Sequence, residues 1–175
     1  MVAALTIRPV AAEDATTIAA IYAVHVANGI ATFDTKAPSV SETGAKISRI
    51  TASGWPFIVA EIKGVVVGYA YATQFRDRAA YAATCENSIY IAEANRGQGI
   101  GKALIVALIN DSEKAGFRQM IAVISDPASV DFHAKFGFRA VGQMHAVGRK
   151  FGRWLDTYYL QRELGEGDRT PPERE

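Results

Sequence analysis

Between residues 96 and 102 the chain reads Arg96-Gly97-Gln98-Gly99-Ile100-Gly101-Lys102, with a glycine at every second position. The apolar run Ile89-Tyr90-Ile91 comes shortly before it, and Ile100, Leu104 and Leu108 follow at helical spacing. A strand therefore runs into a glycine turn that opens a helix. The first amides of a helix have no acceptor inside it, and its aligned dipoles leave partial positive charge there, so such an end suits a phosphate. Glycine lets that backbone approach a pyrophosphate with no Cβ in the way. The same cluster also suits a tight strand-to-helix turn that binds nothing.

Spacing removes two phosphate motifs. A P-loop places four residues between its first glycine and Gly-Lys-Ser/Thr. Here three separate Gly97 from Gly101, and Ala103 follows Lys102. A dinucleotide fingerprint needs G-x-G-x-x-G. Counted from Gly97 its last position is Lys102, and counted from Gly99 it is Leu104.

The pattern [Q/R]-x-x-G-x-[G/A] does fit, on Arg96, Gly99 and Gly101. Downstream, Ser129-Val130-Asp131-Phe132-His133-Ala134-Lys135-Phe136-Gly137-Phe138 follows S-x-x-[F/L]-[Y/H]-x-x-x-G-F. Together and in this order they resemble the two acetyl-CoA elements of the GNAT acetyltransferase superfamily. Tyr81, Glu86, Ser88, Ile89 and Tyr90, and the run from Val147 to Asp156 (VGRKFGRWLD), narrow the likeness. They resemble the phosphinothricin and methionine sulfoximine acetyltransferase branch, over roughly residues 7–164.

That resemblance implies an α/β fold of the α+β type, with a mostly antiparallel mixed sheet flanked by helices. It implies acetyl-CoA as cosubstrate, a small amino-acid-like amine as acceptor, and a homodimer. Carried over by position, Ile89, Tyr90 and Ile91 face pantetheine. Arg96, Gly97, Gln98, Gly99, Ile100, Gly101 and Lys102 cradle the pyrophosphate. Asp126, where the family usually has Asn, and Ser129 lie beside the CoA arm.

An amine attacks a thioester only when neutral, so a base must take the ammonium proton. Glu86, set among apolar strand residues, is the expected base, directly or through water. His133 stands where many relatives place a tyrosine that protonates the departing thiolate, and an imidazole can donate there or assist the base. Arg76 and Arg78 are the expected partners of a substrate carboxylate, which a guanidinium fork matches. Phe33, Tyr81 and Ser88, with Glu86, are expected to line the acceptor pocket. His25 and His145 read as structural, and Cys85 as a bystander, because transfer in this superfamily is direct. Two other readings stay open: an acetyltransferase for a protein or peptide amine, and a non-catalytic acyl-CoA-binding module.

The elements that must hold these residues follow from pattern. Leu5–Pro9 reads as a strand, and Ile18, Ile21, Tyr22, His25 and Val26 as one helix face. Residues 28–38 read as a loop and 41–51 as a helix with Ser41 near its N-cap. Phe57–Ile62 and residues 65–75 form a hairpin around Lys63-Gly64. A strand over 83–91, a helix over 101–114, a strand over 119–125, a helix over 128–136, and strands over 138–147 and 155–164 complete one domain, residues 1–164. Trp154, Lys150 and Arg153 read as a loop at the pocket mouth or a dimer contact. The charged segment 165–175, with Pro171-Pro172, reads as a disordered tail.

Composition fits this and narrows the partners. Of the 175 residues, 49% are hydrophobic and 21% charged, with a net charge of +1, so no field draws the chain to nucleic acid or an anionic membrane. A single cysteine excludes an internal disulfide, and no Cys/His spacing suggests a metal. No apolar run is long enough for a membrane span and no leader is evident, so a cytoplasmic protein is expected.

Overall fold

The computed structural model describes residues 4–173. In chain order they form β1 (Leu5–Pro9), α1 (Ala15–Asn28), α2 (Val40–Ala52), β2 (Phe57–Ile62), β3 (Val65–Gln74) and β4 (Thr84–Ile91). Then come α3 (Ile100–Lys114), β5 (Gln119–Ile124), α4 (Pro127–Ala134), β6 (Arg139–Lys150) and β7 (Arg153–Glu163). The seven strands make one sheet in the order β1-β2-β3-β4-β5-β7-β6. Only β4 and β5 run parallel. A parallel neighbour needs a crossover, which α3 supplies. This is the mixed, mostly antiparallel α+β sheet expected from the sequence.

Helices cover both faces. Ile100, Leu104, Ile105 and Leu108 of α3 pack on Ile58, Ala70, Ala72 and Met120. On the other face Ile18 and Ile21 of α1 and Ile47 and Ile50 of α2 meet Phe57, Tyr69, Tyr71 and Tyr90. Each fully buried Leu or Ile contributes about 1.5–3 kcal/mol, so these stripes, more than helix propensity, hold the helices. Strands β2 and β3 lie between both layers, which is why they read as nearly continuous apolar runs.

Two hairpins close on left-handed pairs. Lys63 and Gly64, at φ 52 and 77, turn β2 into β3 as expected. Phe151 and Gly152, at φ 52 and 74, do the same between β6 and β7. The expected loop around Lys150 and Trp154 is therefore strand, with Arg149 opposite Trp154 and Lys150 opposite Arg153. Left-handed φ at both positions makes a tight two-residue turn, so pairing continues to the tip, although Phe151 is an unfavourable residue for that conformation.

Two further local expectations are corrected. The N-cap of α2 is Ser39, not Ser41: Ser39 Oγ accepts from Glu42 N at 3.2 Å and Ser39 N donates to Glu42 Oε2 at 2.7 Å. That reciprocal pair is the Ser-x-x-Glu capping box. Helix α4 ends at Ala134 rather than Phe136, because Gly137 takes φ 81 and Phe138 N bonds His133 O at 3.3 Å. In the C-terminal segment, of which residues 174–175 lie outside the described residues, Arg118 Nη2 donates to Thr170 Oγ1 and Pro171 O, each at 3.1 Å.

Candidate active site

Strands β4 and β5 stay paired only from Thr84–Gln119 to Glu86–Ile121. Beyond Glu86 they separate, although β4 remains fully paired to β3 as far as Ile91. The edge of β4 from Asn87 to Ile91 is thus left facing a gap. A cleft of about 270 Å³ opens there, lined by Thr32, Phe33, Glu86, Ser88, Asp126 and His133, with Asn87, Ile89, Tyr90, Ser125, Ser129 and Thr157 among the remaining walls. Period-two alternation gives Glu86, Ser88 and Tyr90 one face, that of α1 and α2, and Cys85, Ile89 and Ile91 the other.

Glu86 is one of two carboxylates in this cleft, beside Asp126. Among the described residues no side chain or amide hydrogen-bonds to it. Burial pushes its pKa above the ordinary carboxylate range, and the positive charges of Arg76 and Lys46 pull against that shift. A carboxylate raised toward neutrality is a better base for an ammonium than a solvated one.

His133 sits on α4 with its ring edge-on to Phe132 and Phe138. Its Nδ1 lies 2.8 Å from Ser129 O. A carbonyl only accepts, so Nδ1 carries the proton. Burial lowers the imidazole pKa, opposed by the Ser129 carbonyl. The neutral ring therefore presents a bare Nε2, which is buried and has no partner. An uncompensated buried acceptor costs about 1–3 kcal/mol and points to a donor arriving from outside the chain.

The glycine turn stands at the end of β4. Gly97 and Gly99 have φ 75 and 80, and a Cβ at either would meet nothing within 4 Å, so conformation rather than space demands glycine. Gly101 differs: its Cβ would lie 3.2 Å from Ile91 Cδ1, where α3 packs against the strand. The first amide to close on this helix is Ala103 N, on Gly99 O at 3.1 Å, so those of Gly101 and Lys102 point out of its end. Arg96 is exposed and its Nη2 lies 3.5 Å from His25 Nδ1, while Ile100 puts its side chain in the core. Asp126 caps α4, its Oδ1 accepting from Ala128 N at 3.1 Å.

A split between two parallel strands, a glycine turn of free amides at the strand's end and a half-buried glutamate without a partner lie along one strand. The model of the acetyltransferase (GNAT) domain matches residues 7–159. The chain belongs to the GNAT acetyltransferase family. It is an N-acetyltransferase of the phosphinothricin and methionine sulfoximine branch. It is 44% identical over 173 residues to the phosphinothricin N-acetyltransferase of Alcaligenes faecalis, covering 97% of this chain and 88% of the relative. It is 35% identical over 162 residues to the L-methionine sulfoximine/L-methionine sulfone acetyltransferase of Pseudomonas aeruginosa, covering 91% and 94%. The crystal structure of a phosphinothricin acetyltransferase from Sinorhizobium meliloti in complex with AcCoA superposes with a TM-score of 0.94 at 47% identity, covering 96% and 92%.

Among the residues expected from the sequence of this GNAT chain, Phe33, Glu86, Ser88, Ile89, Tyr90, Asp126, Ser129 and His133 all line the cleft. Arg76, Arg78 and Tyr81 do not. They belong to the loop between β3 and β4, where Gln74 Nε2 holds Arg76 O at 2.7 Å and Arg78 O at 3.0 Å. Arg76 is near enough to act on Glu86 electrostatically. Tyr81 is in a 3-10 turn rather than the strand, 38% exposed, with its ring edge-on to Phe75. Sequence reasoning passed over Asn87 and Thr157, both in the cleft wall. Asn87 is buried with its Nδ2 only 3.7 Å from a thioether, Met120 Sδ. Its place between Glu86 and Ser88 was the available signal.

Proposed function

We propose that this protein transfers the acetyl group of acetyl-CoA to the primary amine of a small amino acid of the phosphinothricin, methionine sulfoximine or methionine sulfone type. The observation that carries the reading is Glu86, a half-buried carboxylate with no internal partner and a raised pKa, in the gap where β4 and β5 part. Pantetheine runs along the free edge at Ile89–Ile91. Its pyrophosphate meets the amides of residues 97–102, whose left-handed glycines and open helix end suit that anion.

Glu86 accepts a proton from the substrate ammonium, directly or through water. The neutral nitrogen then attacks the thioester carbon. A C–N bond forms, the C–S bond breaks, and the proton that the attacking nitrogen sheds to become an amide ends on the CoA thiolate. Backbone N–H groups near Ile89–Ile91 stabilise the oxyanion on the way. His133 assists as a proton acceptor at Nε2, the role its Nδ1–H tautomer supports. To protonate the thiolate it must first gain a proton there.

Arg76, on the loop between β3 and β4 and near enough to act on Glu86 electrostatically, holds the substrate carboxylate, with Arg78 beside it. Thiol release measured over a panel of amino acids and their methyl esters tests the reading. Free acids should be turned over and esters should lose about 10-fold or more in kcat/KM, as when a charged hydrogen-bonded pair loses one partner. Arg76→Ala should reproduce that loss. Equal turnover of acids and esters would remove the carboxylate clamp, and no turnover of any amine would remove the reaction.

The proposal includes a homodimer. Edge strand β6 leaves Val141, Val147 and Met144 exposed, and Trp154 at its hairpin end is 63% exposed. Such an apolar edge favours cover by a second copy. A sedimentation mass of one chain at micromolar concentration would refute it. It also includes cytoplasmic residence, supported by the free, buried thiol of Cys85 and read by cell fractionation. Among the described residues no helix is long and apolar enough to cross a membrane.

A further inference from the structure

We infer that Gly148 and Lys150, at the end of β6, are positioning residues that set which amines the cleft accepts, acting through Phe33 and the loop that carries it. The inference rests on the reading above, in which Phe33 walls the acceptor site.

The loop after α1 has no secondary structure of its own, so its shape depends on what grips it. Lys150 provides the central grip. It is a buried lysine whose Nζ donates to Gly29 O at 2.8 Å and to Thr32 O at 2.9 Å. Burial lowers its pKa, opposed by Asp34, yet two carbonyls and the Phe151 ring, 5.1 Å away, surround the ammonium. A lysine desolvated to hold two backbone carbonyls 118 and 121 residues away fixes a distant loop. Ser125 Oγ, at the end of β5, donates to Ile30 O in the same loop. From α1, Tyr22 Oη donates to Asp34 Oδ2 at 2.6 Å and lies 2.7 Å from Thr32 Oγ1.

Gly148 fixes the side chain that this loop presents. A Cβ at Gly148 would fall 2.6 Å from Cδ2 and 2.7 Å from Cζ of Phe33, and nearer still to Cε2. The ring therefore rests directly on the strand backbone, and only a residue without a side chain lets it do so. Its position on β6 is set by an irregularity just upstream. The register slips between Met144 and Gly148 around Ala146, which takes φ 53. Asp156 Oδ1 accepts from Ala146 N at 2.9 Å, and Asp156 Oδ2 accepts from Gln143 Nε2 at 2.9 Å. A bulge re-aims the strand beyond it, and here it directs Gly148 under Phe33 and Lys150 under the loop. Phe33 is 40% exposed, so a displaced ring has room to swing without unfolding the domain.

The test measures kcat/KM for phosphinothricin and for L-methionine sulfone, with KM for acetyl-CoA alongside, in Gly148→Ala, Phe33→Ala and the double variant. One methylene in an apolar pocket alters discrimination by about 10–200-fold. Gly148→Ala should accordingly shift the ratio of the two acceptors about 10-fold or more, with acetyl-CoA KM unchanged and no further shift in the Phe33→Ala background. Lys150→Met should raise acceptor KM more than it lowers kcat, and Lys150→Arg should restore part of the difference. A Phe33→Ala enzyme with an unaltered ratio would sink the reading of Phe33 as a wall. If Phe33→Ala shifts the ratio but Gly148→Ala does not, or if Gly148→Ala acts equally without Phe33, the positioning role is overturned while the pocket stands.

Discussion

The two sides of the cleft are built in different ways. The β4 edge and the glycine turn offer backbone: an unpaired strand edge from Asn87 to Ile91, left-handed Gly97 and Gly99, and helix amides without acceptors. The side that carries Phe33 is assembled from side chains of distant elements, with Lys150, Ser125 and Tyr22 all gripping residues 29–34. Backbone recognition suits a ligand common to a whole family, since it constrains few residue types and leaves a short glycine pattern in the chain. Side-chain scaffolding suits a variable acceptor, because any gripping residue can change the wall without disturbing the turn. Donor and acceptor are thus bound by different means, and changes at Glu86, Gly99 and the buried histidines should act on one side or the other.

The largest effect is expected at Glu86, where the two sides meet. Glu86→Gln keeps the shape and removes the base, and general-base contributions run to about 10²–10⁴-fold. The fall should appear in kcat at neutral pH, with acetyl-CoA KM nearly unchanged. Because burial raises the Glu86 pKa, wild-type activity should fall as pH drops through that raised value and the carboxylate protonates. In the variant that limb should vanish, and alkaline pH should recover part of the rate as more substrate amine arrives neutral. A normal kcat with an unchanged pH profile would move the base to His133 or an ordered water.

A smaller effect should follow Gly99→Val. Left-handed backbone costs a residue with a side chain about 1–2 kcal/mol, and a β-branched one more. A Cβ at Gly99 touches nothing, so the strain falls on the turn and spares the core. Acetyl-CoA KM should rise about 10-fold or more, since about 1.4 kcal/mol is a tenfold change, while acceptor KM holds. A well-folded variant with unchanged acetyl-CoA KM would show that the turn does not hold the donor.

The same contrast explains what the sequence could reveal. The glycine turn, the strand carrying Glu86 and the Lys63-Gly64 hairpin are local, and each leaves its mark within about ten residues. Contacts such as Lys150 with Gly29, Ser125 with Ile30 and Gly148 with Phe33 join positions far apart in the chain, with no periodicity to announce them. Arg76, Arg78 and Tyr81 were legible as residue types but not in their placement on a loop outside the cleft. Likewise nothing near residue 170 in the sequence signals that Arg118 reaches across to Thr170.

The smallest expected effect separates two histidines with similar burial and different duties. His25, on α1, has Nε2 3.0 Å from Ile91 O, so it donates there, and its Nδ1 faces the Arg96 guanidinium. It supports the donor side from beneath. His133, in the cleft wall, donates through Nδ1 and leaves Nε2 without a partner. Burial lowers the pKa of both. A base with a lowered folded pKa gives stability that is fully present above its unfolded value, about 6.5 for imidazole, and is lost as pH falls through that value toward the folded one. Asp14 works in the same direction at lower pH. Arg8 pairs with it at 2.8 and 2.9 Å and holds its pKa down, so that contribution fades only below the ordinary carboxylate range. Between pH 7 and 5 the loss should therefore come from the histidines, at about 2–4 °C of Tm per kcal/mol for a chain of this size. His25→Gln retains a donor for Ile91 O and His133→Asn one for Ser129 O, and neither titrates. Each should flatten part of the Tm slope between pH 7 and 5, and only His133→Asn should also lower kcat. If both variants together keep the full slope, the buried imidazoles are not its source. If His25→Gln lowers kcat as strongly as His133→Asn, the division between a supporting histidine and a cleft histidine fails.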